Sequence, residues 1–106
     1  MATEPPLECP CPPTGTLDVL GKKWALCVVT LLGRHGPLRF GPIQRSLPGV
    51  SPATLTSTLR ALEEEGCVER EARPGPRGSP VTYRLTPRGE ALDRTLRPFA
   101  AWLRRG

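Results

Sequence analysis

Apolar residues recur along this chain with two different periods, and the switch between them outlines a fold. Over residues 22–32, Trp24, Cys27, Val28 and Leu31 stand at i, i+3, i+4 and i+7, which is the spacing of one buried helix face. Gly33 follows and predicts the stop. A short helix is predicted ahead of it over residues 16–21, Thr-Leu-Asp-Val-Leu-Gly. Beyond the Gly36-Pro37 turn, Phe40, Ile43 and Leu47 repeat the helical spacing at i, i+3 and i+7. Leu47-Pro48-Gly49-Val50 then breaks the pattern, and Ser51-Pro52 supplies an N-cap followed by proline at the first helical position. Leu55, Leu59 and Leu62 form the buried stripe of the next helix, and Gly66 ends it. Residues 38–66 therefore read as helix, tight turn, helix.

After Gly66 the period falls to two. Residues 67–72 and 81–85 alternate as two strands, joined by a Pro/Gly-rich loop that carries Arg73 and Arg77. The prediction is a hairpin with a basic tip. Thr86-Pro87 repeats the cap-plus-proline start, and the last helix runs to about Arg104 with Leu92, Leu96, Phe99 and Leu103 on one stripe. Pro98 falls inside it and predicts a kink or a weak point. The fold class is mainly α with a small β-hairpin, ordered as a winged helix-turn-helix. Its domain spans residues 14–106, behind a flexible arm over 1–13 that holds Pro5, Pro6, Pro10, Pro12 and Pro13.

Charge gives this outline a direction. Lys and Arg number 15 against 10 Asp and Glu, for a net charge of +5. The distribution says more, because residues 22–62 hold Lys22, Lys23, Arg34, Arg39, Arg45 and Arg60 with no acid between them. That asymmetry suits a polyanionic partner, double-stranded DNA above all. The outer face of the second helix in the helix-turn-helix carries Thr54, Thr56, Ser57 and Arg60, short hydroxyls and one long cation that can approach a polyanion closely. No apolar run is long enough to span a membrane, and the N-terminus lacks the basic start and apolar segment of a signal peptide. The expected location is the cytoplasm, at the nucleoid.

Individual positions divide between contact and scaffold. Arg60 projects about 140° from Leu55 on a helix of 100° per residue, so it reaches a phosphate or a guanine edge, or else pairs with Glu63 or Glu64 one turn on. Ser51 reads as the helix cap, at an N-terminus whose amides also suit phosphate. Arg39 is placed to clamp backbone phosphate beside a core Phe40, while Arg73 and Arg77 on the wing suit phosphate or the minor groove. Lys22 and Lys23 begin a helix, where cations oppose the macrodipole, and a phosphate would account for them. Trp24 and Trp102 read as core or dimer-interface residues, and Cys27 and Cys67 as small core residues. Cys9 and Cys11 form a C-x-C pair without the spacing of a zinc finger or ribbon, so neither metal nor cofactor is expected. A single histidine, no Gly-rich phosphate loop and no nucleophile motif argue against an enzyme.

Short motifs in a fixed order carry a resemblance. They are Cys11-Pro12 with Thr16-Leu17, Gly21-Lys22-Lys23-Trp24, Leu38-Arg39-Phe40 and Leu47-Pro48-Gly49-Val50-Ser51. Leu55-Thr56, Leu59-Arg60-Ala61-Leu62-Glu63, Tyr83-Arg84-Leu85-Thr86-Pro87-Arg88-Gly89 and Trp102 continue the series. The chain resembles the HxlR-type winged helix-turn-helix transcriptional regulators, small bacterial DNA-binding proteins. The resemblance implies a homodimer built from the N- and C-terminal helices, most often a repressor. Its two recognition helices would read a palindromic operator with half-sites ~34 Å apart. It also implies a role for Cys11, which stands at the position where some members sense oxidants or electrophiles, so an oxidant or small-molecule effector is a further expected partner. Gly41-Pro42 departs from the polar pair usual after the Arg-Phe motif, and Cys9, Cys27 and Cys67 have no counterpart in the pattern. The competing class is a winged-helix protein-interaction or dimerisation module that does not touch DNA, whose docking face would expose an apolar patch.

Overall fold

The computed structural model describes residues 22–72 and 80–105. The arm over 1–13, the short helix predicted over 16–21, Cys9, Cys11 and the hairpin tip with Arg73 and Arg77 lie outside the described residues. Among the described residues, four helices and three short strands follow one another: α1 (Lys23–His35), β1 (Leu38–Arg39), α2 (Phe40–Ser46), α3 (Pro52–Glu64), β2 (Val68–Ala72), β3 (Val81–Leu85) and α4 (Pro87–Arg105). This is a winged helix-turn-helix. The core fills the space enclosed by α1, α2, α3 and the sheet, and its fully buried side chains include Val28, Val29, Ile43, Leu55, Leu59, Leu62 and Cys67.

Two of the sequence expectations need correction. Helix α1 does not stop at Gly33 but continues to His35, and Gly36 ends it with φ 77° while its N–H donates to the Leu32 carbonyl at 2.8 Å. Gly33 is instead a site of close approach, because a β-carbon there would overlap the carboxylate of Asp93 on α4. The apolar stripe of α4 is also buried for only half its length. Leu92 and Leu96 pack against the core, whereas Phe99 and Leu103 remain 47% and 55% exposed. The second half of α4 lies beside α1 with no third described element to cover it. The helix itself runs unbroken through Pro98.

The hairpin gains a third strand that the alternation did not announce. β1 is only two residues long and pairs antiparallel with β3, Leu38 opposite Tyr83 and Arg39 opposite Thr82, giving the order β1-β3-β2. β2 and β3 pair in register from Val68 opposite Leu85 to Ala72 opposite Val81. One face of the sheet turns Leu38, Val68, Tyr83 and Leu85 to the core. On the other, Glu69 stands opposite Arg84 and the two are joined at 2.9 Å, with Glu71 3.9 Å from the same guanidinium. Thr86 then locks the wing to α4. Its hydroxyl donates to the Gly66 carbonyl at 2.5 Å and accepts the Gly89 N–H at 3.0 Å, capping α4 against the end of α3.

Candidate nucleic-acid interface

The local chemistry that starts α3 also sets up its outer face. Ser51 is the N-cap, in extended backbone, and Pro52 opens the helix. The Ser51 Oγ accepts the Thr54 N–H at 3.1 Å and donates to the Thr54 Oγ1 at 2.9 Å. Ser51 therefore has both of these hydrogen bonds committed to the cap, while the proton of Thr54 Oγ1 remains free to donate outward. Thr58 is turned inward, its hydroxyl donating to the Thr54 carbonyl at 2.8 Å.

With Leu55, Leu59 and Leu62 fixed in the core, the helical period of 100° per residue turns Ala53, Thr56, Ser57 and Arg60 outward together. They line one open concavity of about 610 Å³ with Pro52, Ala61 and Glu64. Of the predicted contact residues, the fold thus gathers Thr56, Ser57 and Arg60 on one ridge. Ser51 and Thr54 sit at its N-terminal edge. Arg39 stands on a different element, exposed at the junction of β1 and α2, in the sheet row that holds Thr82 and Glu71. Ala53 belongs to the ridge although its residue type carries no chemical signal; its position three residues before Thr56 and seven before Arg60 was the cue available.

Two of these cations differ in their contacts within the chain. Arg60 forms no ion pair with Glu63 or Glu64 among the described residues, so its charge is not spent along the helix. Lys23, by contrast, lies 4.7 Å from the centre of the Trp24 ring and has a partner within the fold. Along the wing, Arg84 is matched by Glu69 and Glu71, so the outer face of the hairpin stem is not a cationic surface.

A second exposed surface lies along α1 and α4. Leu26, Cys27, Leu31, Leu96, Phe99 and Leu103 line an apolar groove of about 620 Å³. Trp102 stands beside it, 62% exposed and stacked on Phe99 with ring centroids 6.2 Å apart. Trp102 is therefore not a core residue of the single chain. Cys67 is buried, whereas Cys27 is only partly so and faces the groove.

Residues 19–105 match the family model described as HxlR-like helix-turn-helix. The chain belongs to that family. Among relatives of this HxlR-like chain is the HTH-type transcriptional regulator YvaP of Bacillus subtilis, 39% identical over 89 residues that cover 81% of this chain and 78% of the relative. The solved structure of the regulator ytfH from Salmonella typhimurium superposes with a TM-score of 0.78 at 32% identity, covering 90% of this chain and 83% of that one. The redox regulator HypR in its oxidized form gives a TM-score of 0.80 at 32% identity, covering 91% and 97% of the two chains. The HxlR-like chain is accordingly a transcriptional regulator, and α3 is the second helix of its helix-turn-helix. Among the described residues no helix is long and apolar enough to cross a membrane.

Proposed function

We propose that this regulator acts as a homodimer that presents two copies of α3 to successive major-groove faces of a palindromic duplex, as a repressor in the cytoplasm at the nucleoid. The observation that carries this reading is the outward ridge of α3, where Arg60, without an ion pair among the described residues, stands among short side chains on the helix that the fold offers to a groove. In it, Thr56, Ser57 and Arg60 meet base edges. Thr54, Arg39 and the backbone amides behind the Ser51 cap hold backbone phosphate, and Arg73 and Arg77 at the hairpin tip reach phosphate or the minor groove. The cation-only segment over 22–62 supports the polyanionic partner. The exposed Phe99, Trp102 and Leu103 support a second copy of the chain at α1 and α4. HypR, by its name a redox regulator, supports an oxidant or electrophile as effector, with Cys11 as the thiol that receives it.

The test is titration of the full-length chain against fluorescent duplexes selected from a random-sequence pool, at several salt concentrations. Sequence-selective binding is expected, with log affinity falling steeply and linearly against log salt concentration. A chain that shows no sequence preference for duplex DNA at low salt overturns the reading.

A further inference from the structure

The ridge of α3 offers DNA a narrow choice of chemistry. Ala53 presents a methyl, Thr56 a methyl and a hydroxyl, Ser57 a hydroxyl and Arg60 a guanidinium, all exposed. No Asn or Gln, which pair bidentately with adenine, stands among them. A carboxylate, which would accept from the cytosine amino group, is missing too until Glu64. The Thr56 and Ser57 hydroxyls bond to any base edge, so two base-edge patterns remain that this set can single out. Thymine alone carries a major-groove methyl, which an apolar contact reads, and guanine alone shows the N7 and O6 acceptors that fit a guanidinium fork.

Their spacing follows from helix geometry. Ala53 and Arg60 are seven residues apart on one line, about 10 Å at 1.5 Å per residue. That length covers about three base-pair steps of 3.4 Å. Short side chains at 53, 56 and 57 also let the helix backbone come close enough for methyl-to-methyl contact. Glu64, exposed on the same line one turn beyond Arg60, sets the other limit. Phosphate repels its carboxylate, so the last turn is held off and the stretch from Ala53 to Arg60 does the reading.

We infer that each half-site is read as a thymine whose C5-methyl seats against Ala53 and a guanine about three steps away contacted by Arg60. Ala53 is then a specificity-determining residue. The inference rests on the DNA-binding reading above, and its test separates the two.

The experiment starts from the tightest duplex selected by the full-length chain from a random pool. Thymines are replaced one at a time by deoxyuridine, which removes only the methyl, and guanines by 7-deazaguanine, which removes only the N7 acceptor. One thymine per half-site is expected at which deoxyuridine weakens binding about fourfold, the value of one buried methyl group. About three steps away, 7-deazaguanine is expected to weaken binding at least about fivefold. Ala53→Gly should erase the deoxyuridine penalty while the 7-deazaguanine penalty stays. A selective duplex with no methyl-sensitive thymine overturns the inference and leaves the DNA-binding reading standing. So does a penalty that survives Ala53→Gly. A pool that yields no preferred sequence overturns both. The base substitutions need no protein variant, so the thymine-and-guanine pattern is tested however Ala53→Gly folds.

Discussion

The carboxylate of Asp93 occupies the space that a β-carbon on Gly33 would fill. Asp93 is 4% exposed, and its ion pair is with Arg97, one turn along α4, at 2.9 Å. The pair therefore sets how closely α1 and α4 approach. Gly33→Ala is expected to cost about 1–3 kcal/mol, the usual penalty of forcing extra atoms into a filled contact. Asp93→Ala vacates the space and leaves Arg97, largely exposed, to be solvated. The double variant should then be more stable than the sum of the single effects allows, which urea unfolding of the three proteins measures. Strict additivity would show that the two positions do not compete for the same volume.

Ser51 lets the scaffold and DNA roles of the start of α3 be measured apart. Ser51→Ala removes the bond to the Thr54 N–H and should cost about 1 kcal/mol of stability. Ser51→Asp keeps a capping oxygen and places a negative charge at the positive end of the helix dipole, so stability should be retained. The same carboxylate would face phosphate in the complex, and duplex affinity should fall at least about tenfold. Thermal melts and DNA titrations on the two variants give the comparison. Unchanged affinity in Ser51→Asp would take the N-terminus of α3 away from the phosphate backbone.

The thiols make a prediction that can be read by subtraction. Cys67 is buried and Cys27 partly covered in the apolar groove, so both are shielded from an oxidant in solution. If Cys11 is the sensor, hydrogen peroxide or a quinone should change duplex affinity in the native chain and in Cys27→Ser but not in Cys11→Ser. A response that persists in Cys11→Ser assigns sensing to another thiol.

Much of this architecture could be read from the periods alone, because one face of α3 and the alternation in β2 and β3 each answer to a core on one side only. The outward ridge was legible for the same reason: once Leu55, Leu59 and Leu62 are buried, the placing of Arg60 is arithmetic. What escaped depends on partners remote in sequence. Gly33 looks like a stop because glycine is the usual helix terminator, and only the approach of Asp93, sixty residues on, gives it a place inside the helix. β1 is too short to show alternation and exists because Leu38 and Arg39 meet β3. The pairing of Arg84 with Glu69, fifteen residues apart, follows only from the strand register that sets them opposite.

An apolar stripe shows what needs covering, but not whether the chain covers it alone, and the end of α4 is where that distinction matters. Phe99, Trp102 and Leu103 are about half exposed or more, beside the groove lined by Leu26, Cys27 and Leu31. If a second copy covers this surface, Trp102→Glu places a charge in the dimer contact while altering little within the single chain. Stability of the monomer should then change by no more than about 0.5 kcal/mol, as for ordinary surface substitutions. The dimer dissociation constant should rise by at least about tenfold, since large aromatic residues commonly dominate such interfaces. Sedimentation velocity over a dilution series measures that shift. The DNA readout follows from it: affinity for a palindromic duplex should drop toward that for a single half-site, because linkage of two recognition helices is lost. A Trp102→Glu protein that stays dimeric and still favours the palindrome would move the dimer contact away from α4.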